Sequence, residues 1–140
     1  NILQDNLNRR ERLNPDKAGT THLKIYKAIK EEGTWVNIEE LPFNSKTAST
    51  GHPTLSPDNK KLYFVSDREG GLGETDIYYV DINEDGTYGE PQNLGPAVNT
   101  LGREMFPFVA KDNTLYFSSN RDGGLGGDDI WKAYISGPCS

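Results

Sequence analysis

Short apolar segments, separated by turn residues, make up most of the pattern of hydrophobic and polar positions along the chain. The clearest segment places Leu62 and Phe64 on one face of an extended strand, and Tyr63 and Val65 on the other. A strand that faces water on one side is apolar on its other face only, so two apolar faces indicate a strand that lies between neighbouring sheets. The pattern therefore predicts stacked β-sheets.

The apolar segments belong to a repeated unit. Residues 62–78 (LYFVSDREGGLGETDIY) and 115–131 (LYFSSNRDGGLGGDDIW) align without a gap over seventeen positions, at an offset of 53. A weaker copy of the second half of the unit precedes them, in which Gly33-Thr-Trp35 aligns with Gly86-Thr-Tyr88. The chain thus contains half a unit, a whole unit and about three quarters of another. A period near 50 residues is typical of β-propeller blades.

The whole unit is expected to form four strands joined by tight turns, at 52–56, 61–66, 75–81 and 87–94. We therefore predict an all-β fold of about two and a half β-propeller blades, each a four-stranded antiparallel sheet, which together form a partial propeller. Half a blade is expected at 22–44, a full blade at 51–99 and a partial blade at 104–135, so that blades occupy 22–140 and the N-terminal segment 1–21 stays unassigned.

The composition agrees with this fold and narrows the function. Hydrophobic residues make up 34% of the chain, with 15 Gly and 8 Pro, which suits short strands and turns. The net charge of −6 argues against nucleic acid as a partner, because binding phosphates requires a basic surface. The single cysteine, Cys139, can form no internal disulfide, and neither a membrane-spanning run nor a signal peptide is visible. Because the chain opens without a Met, we expect a processed chain or a fragment.

Residues 56–68 (SPDNKKLYFVSDR), followed by Gly70-Gly71 and Asp76-Ile-Tyr78, resemble the TolB-type, WD-like β-propeller repeat. The segment 119–130 is similar to blades of OmpA-family envelope proteins of the Bacteroidetes, some of which belong to the type IX secretion apparatus. This resemblance implies a periplasmic, outer-membrane-associated location and protein partners in the cell envelope. It implies contact with peptidoglycan only through an OmpA-like domain, which is absent from this sequence. Lys111 departs from the pattern, because the second copy lacks Ser-Pro there and is one residue shorter.

One candidate site recurs at the end of the second strand, as Ser66-Asp67-Arg68 and Ser119-Asn120-Arg121. In a structural interpretation, Asp67 and Asn120 cap the following turn, and each arginine pairs with a carboxylate such as Asp76 or Asp129. In a functional interpretation, Asp67, Arg68, Asn120 and Arg121 line a rim of the propeller and bind a protein. Because an architectural feature recurs in each blade whereas a binding site needs to exist only once, the repetition favours the structural interpretation.

Two further segments resemble ligand sites, and a structural interpretation is favoured for each. Asp81, Asn83 and Asp85 match the start of a calcium-binding loop, but Gln92 stands where the bidentate Glu is required, so a hairpin turn explains them better. The glycine loops 70–73 and 123–126 precede strands, whereas a phosphate-binding loop precedes a helix. We therefore expect no cofactor and no metal.

The sequence also lacks a recognisable catalytic set. His22 and His52 have no partner at zinc-ligand spacing, and no Gly-x-Ser-x-Gly segment occurs. We therefore expect no enzyme activity but a protein-binding or scaffolding module; the alternatives are a carbohydrate-binding or glycoside-processing propeller and the gating propeller of a larger peptidase. Because closed propellers contain four to eight blades, we expect an oligomer, a fragment, or other chains that cover the end faces, such as those bearing Leu115, Phe117 and Trp131.

Overall fold

The computed structural model describes residues 2–4, 22–45, 47–121 and 123–135, so Cys139 and most of the segment 1–21 lie outside the described residues. The described residues form ten strands, in chain order β1 (Ile2–Gln4), β2 (Ile25–Glu31), β3 (Thr34–Glu40), β4 (Thr50–Leu55), β5 (Lys61–Ser66), β6 (Asp76–Asp81), β7 (Gln92–Asn93), β8 (Glu104–Val109), β9 (Thr114–Ser119) and β10 (Asp129–Tyr134). The described part is all-β, as predicted, and it contains no helix that could cross a membrane.

The strands form three antiparallel sheets. The first sheet has the order β1-β2-β3, the second β4-β5-β6-β7 and the third β8-β9-β10. The two copies of the repeat lie in different sheets and have the same register, because Phe64 pairs with Tyr78 in the second sheet as Phe117 pairs with Trp131 in the third. Each copy of the repeat therefore forms its own sheet.

The second sheet is buried on both faces, as the apolar pattern of β5 predicts. Leu62 and Phe64 belong to one core cluster, which also contains Ile25 of the first sheet. Tyr63 and Val65 belong to another, which contains Leu115 and Phe117 of the third sheet, and its members also include Ile77, Val98 and Val109. Burial against two neighbours supplies the apolar contact that so short a sheet needs in order to be stable.

The fourth strand of the whole unit is shorter than expected. Only Gln92 and Asn93 pair with β6, and Tyr88 forms a single isolated bridge with Ile82, so the expected strand at 87–94 is wrong over most of its length. Pro91 explains the break, because it has no N–H to donate to the ladder.

The segment that the sequence left unassigned contributes one strand. Backbone of Ile2–Gln4 pairs with β2, and the register places Leu3 opposite Tyr26. In the second sheet, Phe64 lies opposite Tyr78 in the same way, so β1 occupies the position that β5 has in the whole unit. The pairing satisfies backbone groups that would otherwise be free along the edge of β2.

The third sheet exposes a different face from the one expected. Leu115 and Phe117 are 0% and 2% exposed, because they pack against the second sheet, and Trp131 packs beside them. The expectation that these three residues lie on an uncovered face is therefore wrong. The exposed apolar side chains are those of the opposite face of β8, β9 and β10.

Candidate functional site

Arg68 lies at the junction of the first and second sheets. Its Nε donates to Ser66 Oγ at 3.0 Å, and its Nη2 donates to the carbonyl oxygen of Phe43 at 2.9 Å and to Thr50 Oγ1 at 3.0 Å. The guanidinium carbon is 5.2 Å from the centroid of the Phe64 ring. Burial lowers the pKa of Arg68, since it withdraws water from the cation. Because Phe43 lies in the connection from β3 to β4, Arg68 ties that connection to the second sheet.

Arg121 makes the equivalent contacts at the next junction. Its Nε donates to Ser119 Oγ at 3.1 Å, and its Nη2 donates to the carbonyl oxygen of Val98, in the connection from β7 to β8. Its guanidinium carbon is 5.0 Å from the centroid of the Trp131 ring. We call these two sets of contacts, around Arg68 and Arg121, the arginine clamps. Their recurrence supports a structural role, since each joins one sheet to the next.

The second clamp contains a buried carboxylate that the first lacks. Glu104 is 0% exposed, and its Oε2 lies 3.8 Å from Nη2 of Arg121. It also accepts hydrogen bonds from Ser119 Oγ at 2.6 Å, from Thr100 N at 2.7 Å and from Thr100 Oγ1 at 2.8 Å. Thr50 occupies the same place in the first clamp. Glu104 was not identified from the sequence, because an isolated Glu at the start of a strand usually faces water.

Each arginine was expected to pair with a carboxylate such as Asp76 or Asp129. Arg121 does pair with a carboxylate, that of Glu104, but the choice of Asp76 and Asp129 is wrong. Asp76 accepts hydrogen bonds from Leu72 N and, at 3.1 Å, from Asn93 Nδ2, and Asp129 accepts one from Gly126 N at 3.2 Å. Each carboxylate therefore holds the glycine loop that precedes it. The loop amides that a phosphate would need are directed at an internal carboxylate instead.

Asp67 and Asn120 contact backbone rather than solvent-facing partners. Asp67 Oδ1 accepts a hydrogen bond from Ser49 N at 2.8 Å, and Asn120 Oδ1 accepts one from Arg103 N at 2.7 Å. Both donors stand immediately before the first strand of the same sheet. All four residues suggested as a protein-binding rim thus make contacts within the protein, and their role in binding stays a prediction.

The segment that resembles a calcium loop forms a hairpin turn. Asp81 Oδ1 lies 2.6 Å from Lys61 Nζ, and Asn83 Nδ2 donates to Thr87 Oγ1 at 2.9 Å. Asp85 Oδ1 accepts hydrogen bonds from Thr87 Oγ1 at 2.6 Å and from Thr87 N at 3.1 Å, and these bonds lower the pKa of Asp85. Across the described ranges, no group of three or more His, Cys, Asp or Glu side chains is placed to hold a metal ion.

Two bulged strands bring His52 and Phe106 together. β4 changes register against β5 between Gly51 and Thr54, and β8 does so against β9 after Met105. The backbone of His52 and that of Phe106 both have a φ of 51°. Residues other than glycine seldom adopt this conformation, and bulges and strained backbone occur preferentially at functional sites.

The His52 and Phe106 rings form a stack that is open to solvent. Their centroids are 4.3 Å apart at an interplanar angle of 16°, and Phe106 N donates to His52 Nδ1 at 3.4 Å. Phe106 stays 64% exposed. Burial lowers the pKa of His52 and so favours its neutral form. A cavity of about 110 Å³ lies beside His52, lined also by Leu23, Asp67 and Met105.

The stack joins positions 54 residues apart, so no local pattern could reveal it. One signal was present, since a proline follows each residue, at Pro53 and Pro107, and proline within a strand indicates a bulge or an edge. The arrangement offers a rigid, exposed aromatic surface beside a small cavity, which suits an apolar group of a binding partner.

No family model matches the chain, and no curated protein shows significant similarity to it. The function proposed below therefore rests on the geometry of the site and on the repeat.

Proposed function

We propose that this chain is a non-catalytic protein-binding or scaffolding module built from β-propeller blades. The observation that carries the proposal is the exposed Phe106 ring, held on His52 beside a cavity where the first strands of two consecutive sheets meet. Rigid aromatic side chains supply much of the binding energy at protein interfaces, because they bury a large area and lose little conformational entropy.

The blade assignment is supported by contacts that recur in the connections between consecutive sheets. Asn44 Oδ1 accepts from Ile25 N at 2.9 Å and its Nδ2 donates to Ile25 O at 2.7 Å. Asn99 does the same for Ile77, at 2.8 Å and 3.0 Å. Together with the arginine clamps, these contacts favour sheets that succeed one another by the same rotation, as the blades of a propeller do.

A propeller places the first strand of each blade next to its central axis, so on this proposal His52 and Phe106 line the axial channel. An extended segment of a partner, carrying an apolar or aromatic side chain, would contact the Phe106 ring. A location at the periplasmic side of the outer membrane, with envelope proteins as partners, is part of the proposal and rests on the resemblance of residues 56–68 and 119–130 to envelope propeller repeats.

Selection of peptides displayed on phage tests this function directly. The intact chain would be the bait, and the Phe106→Ala variant would serve for counter-selection. Leu101→Ala is the matched control, because Leu101 is an apolar side chain that is 84% exposed in the loop before β8. We expect peptides with an apolar or aromatic residue that bind the unsubstituted chain and the control alike, and Phe106→Ala about tenfold more weakly or worse.

Two results would contradict the proposal. If the selected peptides bind Phe106→Ala as tightly as the unsubstituted chain, the stack of His52 and Phe106 is not part of the binding site. Hydrolysis of a reporter glycoside or peptide that is lost on replacing one carboxylate would show catalysis, and would favour the glycoside-processing or peptidase alternatives.

A further inference from the structure

Asp67 and Asn120 occupy equivalent positions in the two copies of the repeat and perform the same structural task. The Oδ1 atom of each accepts a hydrogen bond from the backbone N–H that precedes the first strand of its sheet, at 2.8 Å from Ser49 N and at 2.7 Å from Arg103 N. An amide oxygen therefore supplies everything that this contact requires. The negative charge of Asp67 is not needed for the architecture of the repeat.

The charge of Asp67 is also not paired with a cation of the chain. The side chain is exposed, and across the described ranges no lysine or arginine forms an ion pair with it. Arg68 lies near enough to sense this charge, but its guanidinium donates to the three acceptors of the first clamp instead. Asp67 Oδ2 thus stays available to a cation from outside the chain.

Asp67 lines the cavity beside the stack of His52 and Phe106. The cavity has a volume of about 110 Å³. An apolar cavity of about 150 Å³ holds one benzene ring, so the smaller volume suits a slender aliphatic chain better than an aromatic ring. The lining is mostly apolar and includes Leu23, Val65 and Met105. An aromatic group of the partner would therefore lie on Phe106, and a second, aliphatic side chain would enter the cavity.

We propose that this cavity binds a lysine side chain of the partner, with its methylene stem among the apolar groups and its ammonium group on Asp67 Oδ2. The inference rests on the function proposed above and names the chemistry of the partner. Lysine combines a flexible four-carbon stem with a compact charge. Arginine fits less well, because its planar fork pairs with both oxygens of a carboxylate, and Asp67 Oδ1 is already bound by Ser49 N.

The charges around the cavity favour a cationic partner. The chain has a net charge of −6, so it attracts a basic segment from a distance. Burial lowers the pKa of His52, so that at neutral pH its ring adds little positive charge to the wall of the cavity. A neutral aliphatic side chain would use the apolar lining alone, whereas lysine uses the lining and the carboxylate together.

A phage-displayed library of peptides, with one fixed phenylalanine among random residues, tests the proposal. Peptides that bind the intact chain but not Phe106→Ala should carry lysine close to the fixed phenylalanine, enriched at least about threefold over the library and more than arginine. With Asp67→Asn as bait, this enrichment should disappear while Phe106-dependent peptides are still recovered, because asparagine can accept from Ser49 N as Asn120 accepts from Arg103 N. Glu69→Gln is the matched control and should retain the enrichment, since Glu69 is an exposed acid of the same loop that does not line the cavity.

A synthetic peptide from the selection isolates the ammonium group, because replacing its lysine by norleucine keeps the stem and removes the charge. In fluorescence anisotropy, Asp67→Asn should weaken binding of the lysine peptide at least about threefold and leave binding of the norleucine peptide unchanged. Retained binding of the norleucine peptide also shows that the variant is folded.

Two outcomes would overturn this inference and leave the proposed function intact. One is a set of Phe106-dependent peptides without enrichment of lysine, and the other is an enrichment that Asp67→Asn does not alter. If no recovered peptide depends on Phe106, the proposed function fails and this inference fails with it.

Discussion

The two arginine clamps differ by one buried group, and this difference yields a quantitative prediction. Arg68 and Arg121 each donate to a serine hydroxyl and to a carbonyl oxygen in the preceding connection, and each lies over aromatic rings. Facing them, Thr50 in the first clamp is replaced by Glu104 in the second. Arg68→Met and Arg121→Met therefore remove equivalent contacts to a serine hydroxyl, a carbonyl oxygen and aromatic rings. The first substitution also leaves Thr50 Oγ1 without its donor, and the second leaves a buried carboxylate without its cation.

The expected costs follow from these contacts. Arg68→Met leaves neutral acceptors without their donor, which costs about 1–2 kcal/mol of unfolding free energy. Arg121→Met removes similar hydrogen bonds and also leaves a fully buried carboxylate without its counter-charge. The whole substitution should therefore cost about 3 kcal/mol of unfolding free energy. The lower end of the range for buried ion pairs applies, because the Arg121 side chain is 18% exposed and Glu104 keeps three other hydrogen bonds. Glu104→Thr copies the first clamp, so Arg121→Met should cost only about 1–2 kcal/mol in that background.

Urea unfolding followed by tryptophan fluorescence measures these costs, and Trp131, whose ring centroid is 5.0 Å from Arg121, reports on the second clamp. Equal losses for Arg68→Met and Arg121→Met would refute the reasoning. So would a loss for Arg121→Met that Glu104→Thr leaves unchanged.

Three further predictions concern packing and pH. Gly73→Ala should lower the free energy of unfolding in urea by about 2 kcal/mol, because the added methyl group would overlap the backbone of the loop before β8. The equivalent substitution Gly126→Ala places its methyl group in open space and should change stability by less than about 0.5 kcal/mol. Equal effects would contradict the close approach of the sheets. Burial lowers the pKa of His52 in the folded protein. The stability that neutral His52 contributes above about pH 6.5 should therefore be lost as the pH falls from there towards the folded-state pKa. A His52→Gln variant that loses the same stability over this range would contradict the assignment. Burial raises the pKa of Tyr63 to about 12, so stability should decline as the pH rises above about 10, and the decline should be smaller in Tyr63→Phe; an unaltered alkaline decline would assign it to another group.

The strand order of the repeat could be predicted because its signals are local. The bounds of β5, Lys61–Ser66, are those expected, and the two-sided apolar pattern of that strand correctly indicates its two buried faces. Self-similarity at an offset of 53 then placed β9 in a second, equivalent sheet. Apolar alternation determines which faces are buried, and turn residues determine where strands end, so both can be read along the chain.

The sequence was less informative wherever a contact joins distant residues. Nothing near Glu104 in the sequence indicates its burial, because the cation that accompanies it, Arg121, lies in the loop after β9. The choice of exposed face in the third sheet was wrong because apolar residues occur on both faces of β9, and only the stacking order shows which one the second sheet covers. The short fourth strand is different, since Pro91 was a local signal against pairing that the repeat pattern outweighed.

The central claim is that consecutive repeats form separate sheets that stack on both faces of the second sheet. Nuclear Overhauser spectroscopy between methyl and aromatic protons tests it most directly in solution. The structure predicts cross-peaks from Ile25 to members of the first core cluster, such as Phe64, and from Ile77 to members of the second, such as Phe117. Absence of both sets under conditions in which the chain is folded would contradict the stacking and, with it, the function proposed for the chain.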